Sequence, residues 1–226
     1  MIVSISQPTL FPWLGYFDMI KKSDTFVFLD NVKFQKRSWH MRNQLKVTSK
    51  DHEQPTWIRI PTKNKTSNEL IMNVALDNDH SWKKTHLKTF EFNYGINIEQ
   101  IPFLQKLYKK EWTCLSDFNI EFITECCKYL GINTKLKKAS ELSVDGKKSN
   151  LILNICKKVG ATKYLANHGS KQYLEKDREI FQNAKIDLEY HDYQHPHYKQ
   201  RGINFIEKLS ILDLLFNKFD KSKEFI

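Results

Sequence analysis

Cations, amides and aromatic rings crowd into residues 31–43, where Gln35, Lys36, Arg37, Trp39, Arg42 and Asn43 follow the apolar segment Thr25–Asp30. Guanidinium groups grip phosphate or carboxylate oxygens through paired hydrogen bonds, so Lys36, Arg37 and Arg42 are candidates for holding an anion. Trp39, together with Trp13 and Tyr16 of the opening segment, offers ring faces for stacking a base or a sugar; Trp13 and Tyr16 serve equally as packing beneath a sheet. For proton transfer the sequence offers Asp30 and His195, the imidazole having an unperturbed pKa of ~6.5. Asp30 could equally pair with a nearby cation.

His195 stands among His191, Pro196, His197, Tyr198 and Gln200. Three histidines within seven residues have the ligand type for zinc. No Cys or carboxylate pair at ligand spacing accompanies them, and Pro196 fixes a loop, so His195 reads as a hydrogen-bonding group or general base, with zinc left open beside it. The run Asn167-His168-Gly169-Ser170-Lys171 is a second candidate for an anion, because Gly169 can expose successive amides, Ser170 can cap a following helix and Lys171 adds charge. The same residues also make an ordinary turn and cap. Neither GxxxxGK[ST] nor G-x-G-x-x-G occurs, which excludes the standard nucleotide-cradling loops and leaves the cofactor unknown.

The elements that must position these residues come from a chain of 226 residues, 40% hydrophobic with fifteen Phe, enough for a packed interior. Thirty-six Lys plus Arg against twenty-six Asp plus Glu give +10, which suits nucleotide phosphates, nucleic acid or an anionic surface. The same charge fits a surface of scattered lysines. The four cysteines (Cys114, Cys126, Cys127, Cys156) show no disulfide spacing, and Cys126 and Cys127 fall on a helix stripe as core. No Lys or Arg precedes residue 21 and no run approaches the ~20 apolar residues of a membrane span, so a cytoplasmic protein is expected.

Ile2–Ile5 is an apolar strand, Trp13, Tyr16, Phe17 and Ile20 recur at helical spacing behind Pro12, and Thr25–Asp30 is a second strand. Strands apolar throughout imply burial on both faces, hence a βαβ unit in a mostly parallel sheet, with the Gln7–Pro12 loop at the carboxyl edge where ligands bind. Residues 56–60 and 71–76 read as further strands, joined by a polar, Lys-rich loop 62–69 placed near the site. Stripes at Leu104, Leu107, Tyr108, Trp112 and at Ile120, Ile123, Cys126, Leu130 make a helical middle, stopped by Gly131. Residues 137–149 have the composition of a connection between parts 1–136 and 150–226. In the second part Ser149 is expected to cap a helix ending at Gly160, strands follow at 162–166 and 186–190, and Ser210 with Asp213 forms a capping box for a closing helix. The fold class is α/β, with a βαβ opening, a mostly parallel sheet, a helical middle and a smaller α/β C-terminal part.

The chain resembles the WbqC-like family of bacterial proteins. The resemblance rests on Gln7-Pro8 with Phe11-Pro12-Trp13-Leu14-Gly15-Tyr16-Phe17, on Phe34-Gln35-Lys36-Arg37-Ser38 with Arg42-Asn43, and on Trp57 to Pro61. In the second half Gly160-Ala161, Tyr164-Leu165, Gly169 with Tyr173-Leu174, His195-Pro196 with Tyr198 and Gln200, and the run Leu209 to Asn217 complete it. Asn167-His168 departs from the family's usual small, Gly-rich pair. The resemblance implies a role in surface polysaccharide (O-antigen type) biosynthesis, with acyl or aminoacyl transfer onto the amine of a nucleotide-linked amino sugar. Under that reading Lys36, Arg37 and Arg42 hold the diphosphate, Gln7, Asn43 and Gln200 orient the sugar, Trp13, Tyr16 and Trp39 stack, and Asp30 or His195 takes the proton. A charged tRNA as aminoacyl donor and a non-catalytic scaffold of glycan assembly are the alternatives.

Overall fold

The computed structural model describes residues 1–48, 52–63 and 68–226. It opens with β1 (Ile2–Ser6), α1 (Leu14–Lys21) and β2 (Thr25–Phe28), the two strands running parallel from Val3↔Thr25 to Ser6↔Phe28. An antiparallel pair follows, β3 (Arg42–Thr48) with β4 (Glu53–Arg59). Three helices form the middle: α2 (Trp82–Tyr94), α3 (Pro102–Lys109) and α4 (Leu115–Tyr129). The rest runs β5 (Lys135–Lys138), α5 (Lys148–Val159), β6 (Lys163–Ala166), α6 (Lys171–Leu174), α7 (Arg178–Asn183), β7 (Asp187–Tyr190) and α8 (Ile211–Lys218).

Among the described residues the main sheet is parallel throughout, in the order β5-β2-β1-β6-β7. Alternation along its strands sorts the side chains into two cores. Val3, Ile5, Val27 and Tyr164 pack with Leu151 and Ile155 of α5 and Phe181 of α7. Phe26, Phe28 and Leu165 pack with Phe17 and Ile20 of α1 and with the helical middle. Cover on both faces explains why β1 and β2 are apolar at nearly every position. From β1 the chain adds β2 and β5 on one side and later β6 and β7 on the other, so the order reverses between β1 and β6. The carboxyl ends of such a pair leave a crevice that no crossover helix fills.

Some local expectations need correction. Residues 71–76 form a 3₁₀ turn (Ile71–Asn73) rather than a strand, because Ile71 and Val74 both turn inward and are buried in one core with the α4 side chains. Ser149 lies inside α5 with its hydroxyl buried and unpaired, and the residue before the helix is Lys147. Ser210 does cap α8, accepting from Leu212 N at 3.2 Å, but the Asp213 carboxylate is drawn into the core by Tyr94, Tyr198 and Gln200 and does not close a box. Lys137 and Lys138 belong to β5, and the β1–β6 pairing places strands from both sides of residues 137–149 in one sheet. Residues 64–67 of the Lys-rich loop lie outside the described residues. No helix among the described residues is long and apolar enough to cross a membrane.

Candidate functional site

A cavity of about 800 Å³ opens at the carboxyl ends of β1 and β6. Ser6 ends β1 at its floor, Asn167, His168 and Gly169 follow β6, and His191, Asp192 and Tyr193 follow β7. The first turn of α1 contributes Trp13, Gly15 and Tyr16, and the β3 side contributes Trp39, Asn43 and Gln44. Glu207 and Lys208 close the rim.

Local chemistry fixes each wall. The Trp13 indole folds back over Gly15, where any Cβ would lie 2.4–2.8 Å from three of its ring carbons. Tyr193 then meets that indole edge-on at 5.1 Å. Phe11, buried and at φ 44°, is held by Asn43, whose Nδ2 donates to Leu10 O at 2.9 Å and Phe11 O at 2.8 Å while its Oδ1 accepts from Gln44 N. Asn119 of α4 donates to Pro8 O and His40 O from beneath. The C-terminal segment is sewn to the same loop by Ile211 N to Pro12 O and to β3 by Ser210 N to Gln44 O. After β6, the Asn167 side chain caps the turn by accepting from Ser170 N at 3.0 Å, so the cap is Asn167 and not Ser170.

His191 of this wall belongs to a pair with the form of an acid–base device. His191 Nε2 meets Asp18 Oδ2 at 2.6 Å, and Lys22 Nζ reaches the same oxygen at 2.7 Å. The His191 backbone is fixed by its own N–H to Ala166 O at 2.8 Å, an extension of the β6–β7 ladder. Burial alone would raise the Asp18 pKa, but the hydrogen bonds from His191 and Lys22 outweigh it and hold the carboxyl below its ordinary value. In the neutral tautomer that donates Nε2–H to Asp18, the lone pair is on His191 Nδ1.

The sequence model of the WbqC-like protein family matches residues 7–224, from the loop that ends at Trp13 to the C-terminal segment that closes the rim. The chain belongs to the WbqC-like protein family. The uncharacterized protein Rv1507c of Mycobacterium tuberculosis (strain ATCC 25618 / H37Rv) is similar to it, 32% identical over 220 residues that cover 95% of this chain and 93% of that protein. No solved structure matches.

In this WbqC-like chain the cavity gathers part of the constellation expected from sequence. Trp13, Tyr16, Trp39, Asn43, Asn167, His168 and Gly169 line it. Gln7, Gln35, Lys36, Arg37, Arg42, Ser170, Tyr198 and Gln200 are not among its lining residues, nor are Asp30 and His195. Asp30 is buried with both oxygens engaged, accepting from Ser140 N at 2.9 Å and Ser140 Oγ at 2.6 Å. His195 Nδ1 faces Pro196 O at 2.9 Å, and its Nε2 is buried near the rings of Tyr193, Tyr198 and Phe205. Tyr198 and Gln200 both donate to Asp213, and Gln7 Oε1 pairs with His40 Nε2 at 2.8 Å. Gln35, Lys36 and Arg37 occupy an exposed turn, and the Arg42 guanidinium lies 4.1 Å over the Trp57 ring.

The three histidines read as a group serve separate purposes: His191 pairs with Asp18, His195 with a backbone carbonyl, and His197 packs on Phe205. Among the described residues no set of three His, Cys, Asp or Glu is arranged to hold a metal ion. Sequence reasoning missed Asp18, Tyr193 and Lys208. Asp18 carried the one available signal, a lone carboxylate within the apolar stretch Trp13–Ile20.

Proposed function

We propose that this WbqC-like protein transfers an acyl or aminoacyl group onto the amine of a nucleotide-linked amino sugar in the assembly of surface polysaccharide of the O-antigen type. The observation that carries the reading is His191, which lines the cavity where the sheet order reverses and pairs with Asp18. Amine acylation needs a base that is neutral near pH 7 and oriented toward the nitrogen as it becomes cationic. Asp18 orients the imidazole and stabilises its charged form once it has accepted the proton. The amine nitrogen attacks the acyl carbon, His191 Nδ1 takes the proton released as the C–N bond forms, and that proton leaves with the departing group of the donor. Aromatic walls at Trp13, Tyr16 and Tyr193 exclude water and give the sugar ring apolar surface to lie against.

The test is to incubate the full chain with amino-sugar nucleotides and acyl donors and to detect the amide by mass spectrometry. His191→Ala is expected to lower the rate by about 10²–10⁴-fold, the usual worth of a positioned general base, with an unchanged circular dichroism spectrum. Product formation by His191→Ala at the wild-type rate would remove His191 from the chemistry.

A further inference from the structure

We infer that the cavity takes the nucleoside diphosphate end of its substrate, with the base against Trp39 and the phosphates at Lys208. The inference rests on the reading of the substrate as a nucleotide-linked sugar.

Lys208 sits at φ +60°, a left-handed backbone position where glycine is the undemanding choice. The chain is tied on either side of it, Ile206 to the Gln200 side chain before it, and Ser210 N to Gln44 O and Ile211 N to Pro12 O after it. Arg37, Lys148 and Lys185 share such a backbone position, but of these cations Lys208 alone is among the lining residues of the cavity. Among the described residues no carboxylate forms an ion pair with it. Glu207 and Asp192 border the same cavity and have the chemistry to accept from ribose or sugar hydroxyls.

Trp39 is 50% exposed and lines the same cavity, its carbonyl anchored by Leu10 N at 2.8 Å. Its neighbour Trp57, 5.4 Å away and 45% exposed, carries Arg42 over its ring and is not among the lining residues, so Trp39 is the member of this pair that the cavity presents. One exposed tryptophan and one lysine among the lining residues fit a single base with its phosphates. A single-stranded nucleic acid would call for a series of stacking platforms.

The experiment titrates UDP, dTDP and GDP, and the matching nucleosides, into the full chain by calorimetry and tryptophan fluorescence. At least one diphosphate is expected to bind, with Trp39→Ala weakening it and its nucleoside alike by tenfold or more. Lys208→Gly is expected to weaken the diphosphate by tenfold or more, to leave the nucleoside unchanged, and to keep the melting midpoint level or raise it by up to about 2–4 °C as backbone strain is relieved. A Lys208→Gly protein that binds diphosphate like the wild type overturns the inference, as does failure of all three nucleotides to bind. Tighter binding of a single-stranded RNA oligonucleotide than of any mononucleotide, lost in Trp39→Ala, overturns it in favour of a polynucleotide. Amide formation that depends on His191 without any nucleotide affinity would leave the proposed reaction standing and this inference fallen; nucleotide affinity through Trp39 and Lys208 without amide formation would do the reverse.

Discussion

Asn43 shows how a side chain can be placed correctly by sequence and do different work. Its amide was expected to orient a sugar, and it does border the cavity, yet both its protons go to the carbonyls of Leu10 and Phe11 and its oxygen to Gln44 N. It stabilises a buried, left-handed Phe11 and thereby the loop that carries Trp13. Asn43→Ala orphans two carbonyls, and a loss of about 2–3 kcal/mol in urea unfolding is expected; a change under 0.5 kcal/mol would show that the loop holds itself. Asp30 and Gln200 show the converse, polar residues whose types suit chemistry but whose hydrogen bonds are all turned to Ser140, Asp213 and Ile206. Composition flagged these side chains as unusual; only their partners, between 6 and 110 residues away, decide what they are for.

The helix α1 and the turn after β6 were legible because each depends on neighbours in sequence. Helical spacing and Pro12 located α1 to within a residue, and glycine with small polar residues located the β6 turn. What a local pattern could not settle was which oxygen caps that turn or that residues 71–76 would coil, since six residues containing Ile71, Val74 and Leu76 fit a strand or a turn until α4 packs on them. The close fit of Trp13 on Gly15 was likewise invisible. Gly15→Ala gains about 1 kcal/mol of helix propensity, against about 1–3 kcal/mol for overpacking under the indole. A net loss of stability with a shift in Trp emission is expected; a net gain would mean that the indole swings away freely.

Taken together, the elements bring Asp18 of the first helix and His191, 173 residues later, within 2.6 Å. The α/β class and the carboxyl edge at which the cavity opens were readable from buried strands and the opening βαβ unit. The pairing of Asp18 with His191 was not, because that contact is created only when β6 and β7 join β1 on the side opposite β2. Other long-range polar contacts make the fold sensitive to acid. His40 bonds to Gln7 and Ser38, His86 to Tyr108 and the Arg59 carbonyl, and burial presses the pKa of each down to about 4. The unfolded chain takes up these protons near pH ~6.5 and the folded chain does not, so stability falls as pH drops from ~6.5 toward 4, at up to about 2.7 kcal/mol per pH unit for the two together. Glu53, held to about 2 by the amide of Ile203, by Lys46 and by the amide of Asn204, continues the decline below its ordinary value, while Asp213, raised by burial, acts in the opposite sense. Urea midpoints measured from pH 7 to 4 should fall steeply in the wild type and less so in His40→Gln or His86→Gln; a flat wild-type profile would contradict neutral buried imidazoles.

That a cavity between β1 and β6, and not the exposed cationic turn at residues 35–37, performs the chemistry can be decided by one comparison of amide yield. With a turned-over amino-sugar nucleotide in hand, mass spectrometry should find Arg37→Ala forming product at the wild-type rate and His191→Ala at least about 100-fold slower. Loss of product in Arg37→Ala with full activity in His191→Ala would place the reaction elsewhere on the molecule.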